Sequence, residues 1–284
     1  MSSRHILQGH KNWVNDVTYS TDGCLLATVS ADGTIRLWDA DLGVLHTRFR
    51  GGMGWLNAVS MSPQNVLAAG SANGNIYLWD ISTKSRLAVL EGHSGGINDV
   101  IFSLDGHLLV SGSNDRNVMI WQPAEFRELA TFEGHTAAVK AISFSPTENI
   151  VVSASADCTV RLWDTVKPSR SSGLPRHKDT VTAVAVSPNG ELAASISTDD
   201  TVRLWSTSTG ALISVIDRGP IFMDIGLAWS STVGFSSNGQ EIVGTWADAA
   251  IYHWQATNGN FTEWSCCKLE KGKTLKIDHV SFFP

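Results

Sequence analysis

Cysteine is scarce in this chain. Only 4 of its 284 residues are Cys (Cys24, Cys158, Cys266 and Cys267), and they show no C-x-x-C spacing. That excludes a small scaffold stapled by disulfides and reads as free thiols in a reducing compartment. Charge is scarce too, with Asp, Glu, Lys and Arg making up 17% against about 25% in an average globular domain. Gly, Ser, Thr, Asn and Asp fill the gap, which suits many short strands joined by many turns. The net charge is −6. This argues against a nucleic-acid partner, whose affinity rests on cations facing phosphates. No apolar run approaches the roughly 20 residues that span a bilayer, and residues 1–9 lack the apolar core of a secretory signal. The expectation is a cytoplasmic or nuclear chain without membrane insertion. The motifs G-x-x-x-x-G-K-[ST], G-x-G-x-x-G, H-E-x-x-H and G-x-S-x-G are absent, so no metal or cofactor is expected.

Apolar side chains are plentiful, at 43% with 11 Trp, and exclude a disordered tail. Their arrangement is periodic. Trp recurs at 38, 79, 121, 163, 205 and 254, at intervals of 41, 42, 42, 42 and 49. Each of the first five ends an alternating run such as Thr34-Ile35-Arg36-Leu37-Trp38 or Thr159-Val160-Arg161-Leu162-Trp163, the pattern of a strand. His10, His93, His135 and His177 lie 28 residues before their Trp. Six before each Trp comes Asp32, Asn73, Asp115, Asp157, Asp199 or Asp248. Eight before comes Ser30, Ser71, Ser113, Ser155 or Ser197, with Trp246 in the sixth repeat. Turn pairs such as Asp22-Gly23, Asp105-Gly106 and Asn189-Gly190 fall between.

Gly-His followed about 27 residues later by Trp-Asp, repeated at this period, resembles the WD-repeat family of β-propellers over nearly the whole chain. Trp-Asp is literal at Trp38-Asp39, Trp79-Asp80 and Trp163-Asp164 and drifts at Trp121-Gln122, Trp205-Ser206 and Trp254-Gln255. The resemblance implies an all-β fold of four-stranded blades around a channel, in one domain over residues 1–284. It also implies a structural hydrogen-bond set in each complete blade: His10/Ser30/Asp32/Trp38, His93/Ser113/Asp115/Trp121, His135/Ser155/Asp157/Trp163 and His177/Ser197/Asp199/Trp205. The second repeat has Gly52 for His and Asn73 for Asp, and the sixth lacks His and has Trp246 for Ser. Those two blades should be the softer ones. A Ser, His and Asp trio suggests hydrolase chemistry, but a catalytic triad is assembled once. Here the trio comes four times at one spacing, so no catalytic residue is expected.

The family threads each blade from the innermost strand outward. Innermost strands fall near 13–19, 55–61, 97–103, 139–144, 181–187 and 231–236, with a seventh candidate over 277–284. Outermost strands also number seven, the first being His5-Ile6-Leu7-Gln8. Only six pairs of middle strands exist, so the reading is six complete blades plus an incomplete seventh. A truncated chain, a six-bladed ring with extra edge strands, or completion by another chain would explain this, and truncation is favoured. Open edges near 5–8 and 277–284 would promote self-association.

By the same analogy, the rim of the channel is where partners bind. Three residues after the His column stand Trp13, Trp55, Gly96, Ala138, Thr180 and Trp229. Two further on stand Asn15, Asn57, Asn98, Lys140, Thr182 and Ser231, and Asn114 precedes a turn Asp on the same rim. An indole has an apolar body and one donor, a combination enriched where binding energy concentrates. An apolar insertion, 219–229, contains Phe222 and Trp229 and is expected on that face. Trp229, Trp13 and Trp55 would then outline one arc. The expected function is a non-enzymatic scaffold or adaptor for peptide or protein segments. Two alternatives stand beside it. One is a sensor or substrate-recognition module detached from a larger signalling, ubiquitin-ligase or organelle-fission protein. The other is an enzyme.

Overall fold

The computed structural model describes residues 5–50, 54–166, 172–217, 231–245, 250–256 and 261–266. Among these residues every regular element is a strand, and the chain falls into two compact units, residues 1–133 and 134–284. The first unit holds three four-stranded sheets, antiparallel and in chain order. They are β1 (Val14–Tyr19), β2 (Leu25–Ser30), β3 (Ile35–Asp39) and β4 (Leu45–Phe49); then β5 (Leu56–Met61), β6 (Val66–Ser71), β7 (Ile76–Asp80) and β8 (Ser85–Leu90); then β9 (Ile97–Phe102), β10 (Leu109–Ser113), β11 (Val118–Gln122) and β12 (Arg127–Phe132). The second unit holds β13 (Val139–Phe144), β14 (Ile150–Ser155), β15 (Val160–Asp164) and β16 (Ser172–Gly173); β17 (Val181–Val186), β18 (Leu192–Ser197), β19 (Thr201–Ser206) and β20 (Leu212–Asp217); and β21 (Thr232–Phe235), β22 (Glu241–Thr245), β23 (Ala250–Gln255) and β24 (Phe261–Cys266). The expected innermost strands are β1, β5, β9, β13, β17 and β21, each within two residues of its sequence bounds.

The middle strands carry apolar residues on both faces because both faces of a sheet are covered. In the second sheet Leu67, Ala69, Tyr77 and Trp79 pack toward the first sheet, with Val29, Leu37 and Phe49. Ala68, Ile76, Leu78 and Leu90 pack toward the third, with Ile97, Val100 and Trp121. Period-two alternation thus serves two cores at once. In the second unit the fifth sheet does the same. Ala193 and Trp205 join the cluster of the fourth sheet, while Ala194, Ile196, Val202 and Leu204 join that of the sixth. Each such Leu or Ile contributes roughly 1.5–3 kcal/mol by leaving water.

The second and third sheets approach closely at Gly70. A Cβ there would stand 2.6 Å from Ile97 Cγ2 and 3.1 Å from Val100 Cγ1. Gly70→Ala should therefore overpack the boundary and cost roughly 1–3 kcal/mol, read as a lower denaturant midpoint. A midpoint unchanged within error would mean that the two sheets separate easily. Gly74, with φ +89 and an ideal Cβ 2.6 Å from His93 O, is needed for both reasons at once.

The segment His5–Gln8 corrects the sequence reading. It belongs to no strand, since no described middle strand offers it a ladder. It lies against the first sheet instead, where His5 Nε2 bonds Asp41 O at 2.8 Å in the turn after β3 and Arg36 of β3 donates to O of the following Gly9. The seventh innermost strand expected over 277–284 lies outside the described residues. The outer strand of the fourth sheet is the two-residue β16.

Candidate functional site

Each innermost strand of the first five sheets opens with a β-bulge. The register jumps at Val14/Asp16, Leu56/Ala58, Ile97/Asp99, Val139/Ala141 and Val181/Ala183. The residues left over are Asn15, Asn57, Asn98, Lys140 and Thr182, the second rim column. A bulge re-aims side chains and often borders a site. Two residues earlier the backbone is locked. Trp13 O accepts Ala31 N–H at 2.9 Å and Trp55 O accepts Ala72 N–H at 2.8 Å. Gly96, Ala138 and Thr180 repeat the bond with Asn114, Ala156 and Thr198 at 2.9, 2.9 and 3.0 Å. The lock uses main chain alone, which frees the side chain to vary. Trp13 and Trp55 are 67% and 61% exposed beside the exposed Val14.

The serines eight residues before each Trp clamp this rim. Ser30 Oγ donates to Asn12 O, Ser71 to Trp55 O, Ser113 to Gly95 O, Ser155 to Ala137 O and Ser197 to Asp179 O, at 2.8–3.2 Å. The same hydroxyls accept the backbone N–H of the turn residues Asp32, Asn73, Asp115, Asp157 and Asp199. This corrects the sets read from sequence, because the hydroxyl that meets the indole lies ten residues before Trp. Trp121 Nε1 donates to Ser111 Oγ at 2.8 Å, and Ser111 Oγ meets His93 Nε2 at 2.7 Å. His93 Nδ1 meets Asp115 Oδ2 at 2.7 Å. Ser153 joins Trp163, His135 and Asp157 in the same way. Ser195 joins Trp205, His177 and Asp199, and Thr28 joins Trp38, His10 and Asp32. Ser30, Ser113, Ser155 and Ser197 stay outside these networks. They stand at the strand ends, where turn and rim backbone groups are the partners in reach.

The networks are sealed. Ser111, Ser153 and Ser195 are fully buried, and the imidazoles of His93, His135 and His177 have no exposed side-chain surface. Burial pushes these histidines and His10 below the ordinary imidazole value, against the opposing pull of the paired aspartates. For Asp157 and Asp199 burial pushes upward, but hydrogen bonds from the neighbouring Thr, a backbone N–H and the histidine outweigh it, leaving both at about 2. A neutral imidazole carrying its proton on Nδ1 completes the chain Trp N–H, Ser O–H, His and Asp with every donor used. Substrate has no path to these hydroxyls. Cys24 and Cys158 are free, with thiol pKa values pushed up by the Asp22 carboxylate and by burial respectively. Neither is activated as a nucleophile.

The second sheet is depleted, as its sequence implied. Ala69 replaces the hydroxyl, the Trp79 indole N–H is buried without a partner, and Asn73 Nδ2 donates to Tyr77 Oη at 2.9 Å. In the sixth sheet Gly244 stands ten residues before Trp254, and Trp246 and Asp248 lie outside the described residues.

The expected rim residues divide. Asn15 Nδ2 donates to Leu56 O at 2.7 Å and Asn57 Nδ2 to Ile97 O at 2.8 Å. These amides stitch one innermost strand to the next, so their N–H groups position the rim and are not free recognition donors. Asn98 Nδ2 donates to Asn114 Oδ1 at 2.8 Å, pairing two expected site residues on the third sheet. Thr182 Oγ1 pairs with Ser231 Oγ. Lys140 is exposed. Phe222 and Trp229 lie outside the described residues, as does the arc they would complete. Sequence reasoning missed Asp16. It is buried, and its Oδ2 accepts Val59 N–H at 2.7 Å, fastening β1 to β5 beside the bulges of the two Trp-bearing strands. A carboxylate within a strand, next to Asn15, was the available signal.

Recurring four-stranded sheets with sealed polar networks and variable side chains on a locked rim define a repeat protein that presents a surface. The model of the WD domain, G-beta repeat family matches residues 1–39, 43–80, 84–122, 126–164 and 168–206, and the chain belongs to that family. Among similar curated proteins is the guanine nucleotide-binding protein subunit beta of Saccharomyces cerevisiae, 27% identical over 110 residues that cover 37% of this chain and 26% of that protein. Eukaryotic translation initiation factor 3 subunit I of Xenopus tropicalis is 34% identical over 110 residues, covering 35% of this chain and 34% of that protein. Small ribosomal subunit protein RACK1 of Caenorhabditis elegans is 34% identical over 91 residues, covering 32% and 27%. The chain thus spans about a third or less of the length of these relatives.

Proposed function

We propose that this chain is a non-enzymatic interaction platform, a cytoplasmic adaptor that acts as one WD-repeat domain and holds a peptide or protein segment on its rim. The observation that carries this is the pair Trp13 and Trp55: equivalent positions, main chain locked, indoles in solvent. A large exposed apolar side chain on a rigid backbone loses little entropy on binding. Asn98, Asn114 and Lys140 supply polar contacts around it. Three similar proteins carry "subunit" in their names, which suits a component of an assembly. The acidic balance weighs against nucleic acid as the partner. Among the described residues no helix is long and apolar enough to cross a membrane.

Trp13→Ala combined with Trp55→Ala should leave the melting temperature near that of the native chain and cut partner capture at least tenfold. The measurement is quantitative affinity capture with both proteins at equal concentration. Equal recovery of the same partners by native and variant chains would overturn the rim reading.

A further inference from the structure

The end strand of a sheet leaves one row of backbone N–H and C=O groups open, and natural proteins guard such edges with charge. Here β4 carries His46 and Arg48, β8 carries Arg86, β12 carries Arg127 and Glu128, and β24 carries Glu263. The strand β16 is too short to offer an edge. Among the described residues β20 is the outer end strand of the fifth sheet, and its one charge is Asp217 at its last position. The ten residues Thr207–Ile216 hold neither charge nor proline. Ile213 and Val215 are 49% and 48% exposed, alternating with the half-buried Leu212 and Ser214 and the buried Ile216. A bulge does not set β20 apart. Every outer strand but β16 has one at this place: His46, Leu87, Leu129, Ile213 and Thr262. The length of the uncharged run, from Thr207 to Ile216, distinguishes this edge among the outer strands. A run of β-branched residues without charge or proline pairs readily with another strand.

We propose that β20 is a self-association edge, on which a second copy of this chain lays its own β20 antiparallel about Ser214, joining two four-stranded sheets into one of eight strands. The sequence Leu212-Ile213-Ser214-Val215-Ile216 is apolar in both directions from its centre. In that register Ile213 meets Val215 twice, Leu212 meets Ile216, and Asp217 meets Ala211, so no charge opposes its like. The other edges bring a charge nearer the centre in a residue-centred pairing: about Thr47, β4 sets His46 against Arg48, about Ala88, β8 sets Arg86 against Leu90, and about Leu129, β12 sets Glu128 against Ala130 and Arg127 against Thr131. The contact is isologous, as a twofold interface requires. A five-residue edge buries far less than the 1,200–2,000 Å² of a stable complex, so the association is weak and must be read at high concentration. The inference does not depend on the rim.

The test is sedimentation velocity on the full chain from about 1 μM to about 1 mM, with far-UV circular dichroism and melting curves to verify folding. The native chain should shift toward twice its mass as concentration rises. Val215→Lys alone and Ile213→Glu alone should each weaken the association at least tenfold, and both side chains are exposed enough to be replaced without unfolding the sheet. The double variant Ile213→Glu/Val215→Lys should recover association, because each new acid then faces the new base of the other copy. A native chain that stays monomeric throughout overturns the proposal. So does a folded Val215→Lys chain that associates like the native one, which places the contact elsewhere. A double variant that does not recover overturns the register about Ser214.

Discussion

Ser111→Ala should destabilise the protein by about 3 kcal/mol, while Ser113→Ala, two residues along the same strand, should cost about 1 kcal/mol. Both side chains are fully buried hydroxyls on β10, and area burial alone predicts equal losses. The difference lies in what each removal strands. Ser111 Oγ accepts the Trp121 indole N–H and meets His93 Nε2. Without it two buried polar atoms lose their partners, at about 1–3 kcal/mol each. The His93 ring also packs edge-on to Trp121 at 6.2 Å, so its orientation loosens with the bond. Ser113 partners the carbonyls of Gly95 and Gly96 and the Asp115 N–H. These backbone groups lie at a turn, where water can replace the lost hydroxyl. Urea unfolding of the two variants decides the matter. Equal losses would return the central role to the column eight residues before Trp.

That pair of serines marks where sequence reading stops. The Trp, His and Asp columns are legible because hairpin lengths are constant, so the chemistry recurs at fixed offsets. The hydroxyl is not, because residues two apart on a strand share a face. Ser111 and Ser113, Ser153 and Ser155, and Ser195 and Ser197 are interchangeable by type and periodicity. The second repeat breaks the tie. It loses His and Asp, keeps Ser71, and puts Ala69 ten residues before its Trp. The column that decays together with His and Asp is the one bonded to them. The bulges and the roles of Asn15 and Asn57 left no such trace. Their partners are the main-chain carbonyls of Leu56 and Ile97, which any residue would supply. The exposure of Trp13 and Trp55 was inferable only by elimination, since Trp38 and its equivalents already fill the space between sheets.

Acid should unfold this protein from about pH 6 downward, well above the range in which carboxylates titrate. His10, His93, His135 and His177 are held neutral by burial, with folded values below the ordinary 6.5. In the unfolded chain each takes up a proton near pH 6.5. Below that pH the unfolded state binds more protons, so stability falls as pH falls, by up to about 1.4 kcal/mol per pH unit for each histidine. All four act in the same direction, against the roughly 5–15 kcal/mol that a domain possesses. The aspartates act later. Asp157 and Asp199 have folded values of about 2, below the ordinary carboxylate value. Their stabilisation is complete above about pH 4 and is lost between about pH 4 and pH 2. Urea midpoints measured from pH 8 to pH 4.5 should therefore hold steady above about pH 6.5 and decline below it. His135→Gln should lower the stability at pH 8 and flatten the slope by about one proton, because one buried imidazole no longer differs between the two states. A variant less stable at pH 8 but with the native slope would place the acid sensitivity in groups other than these networks.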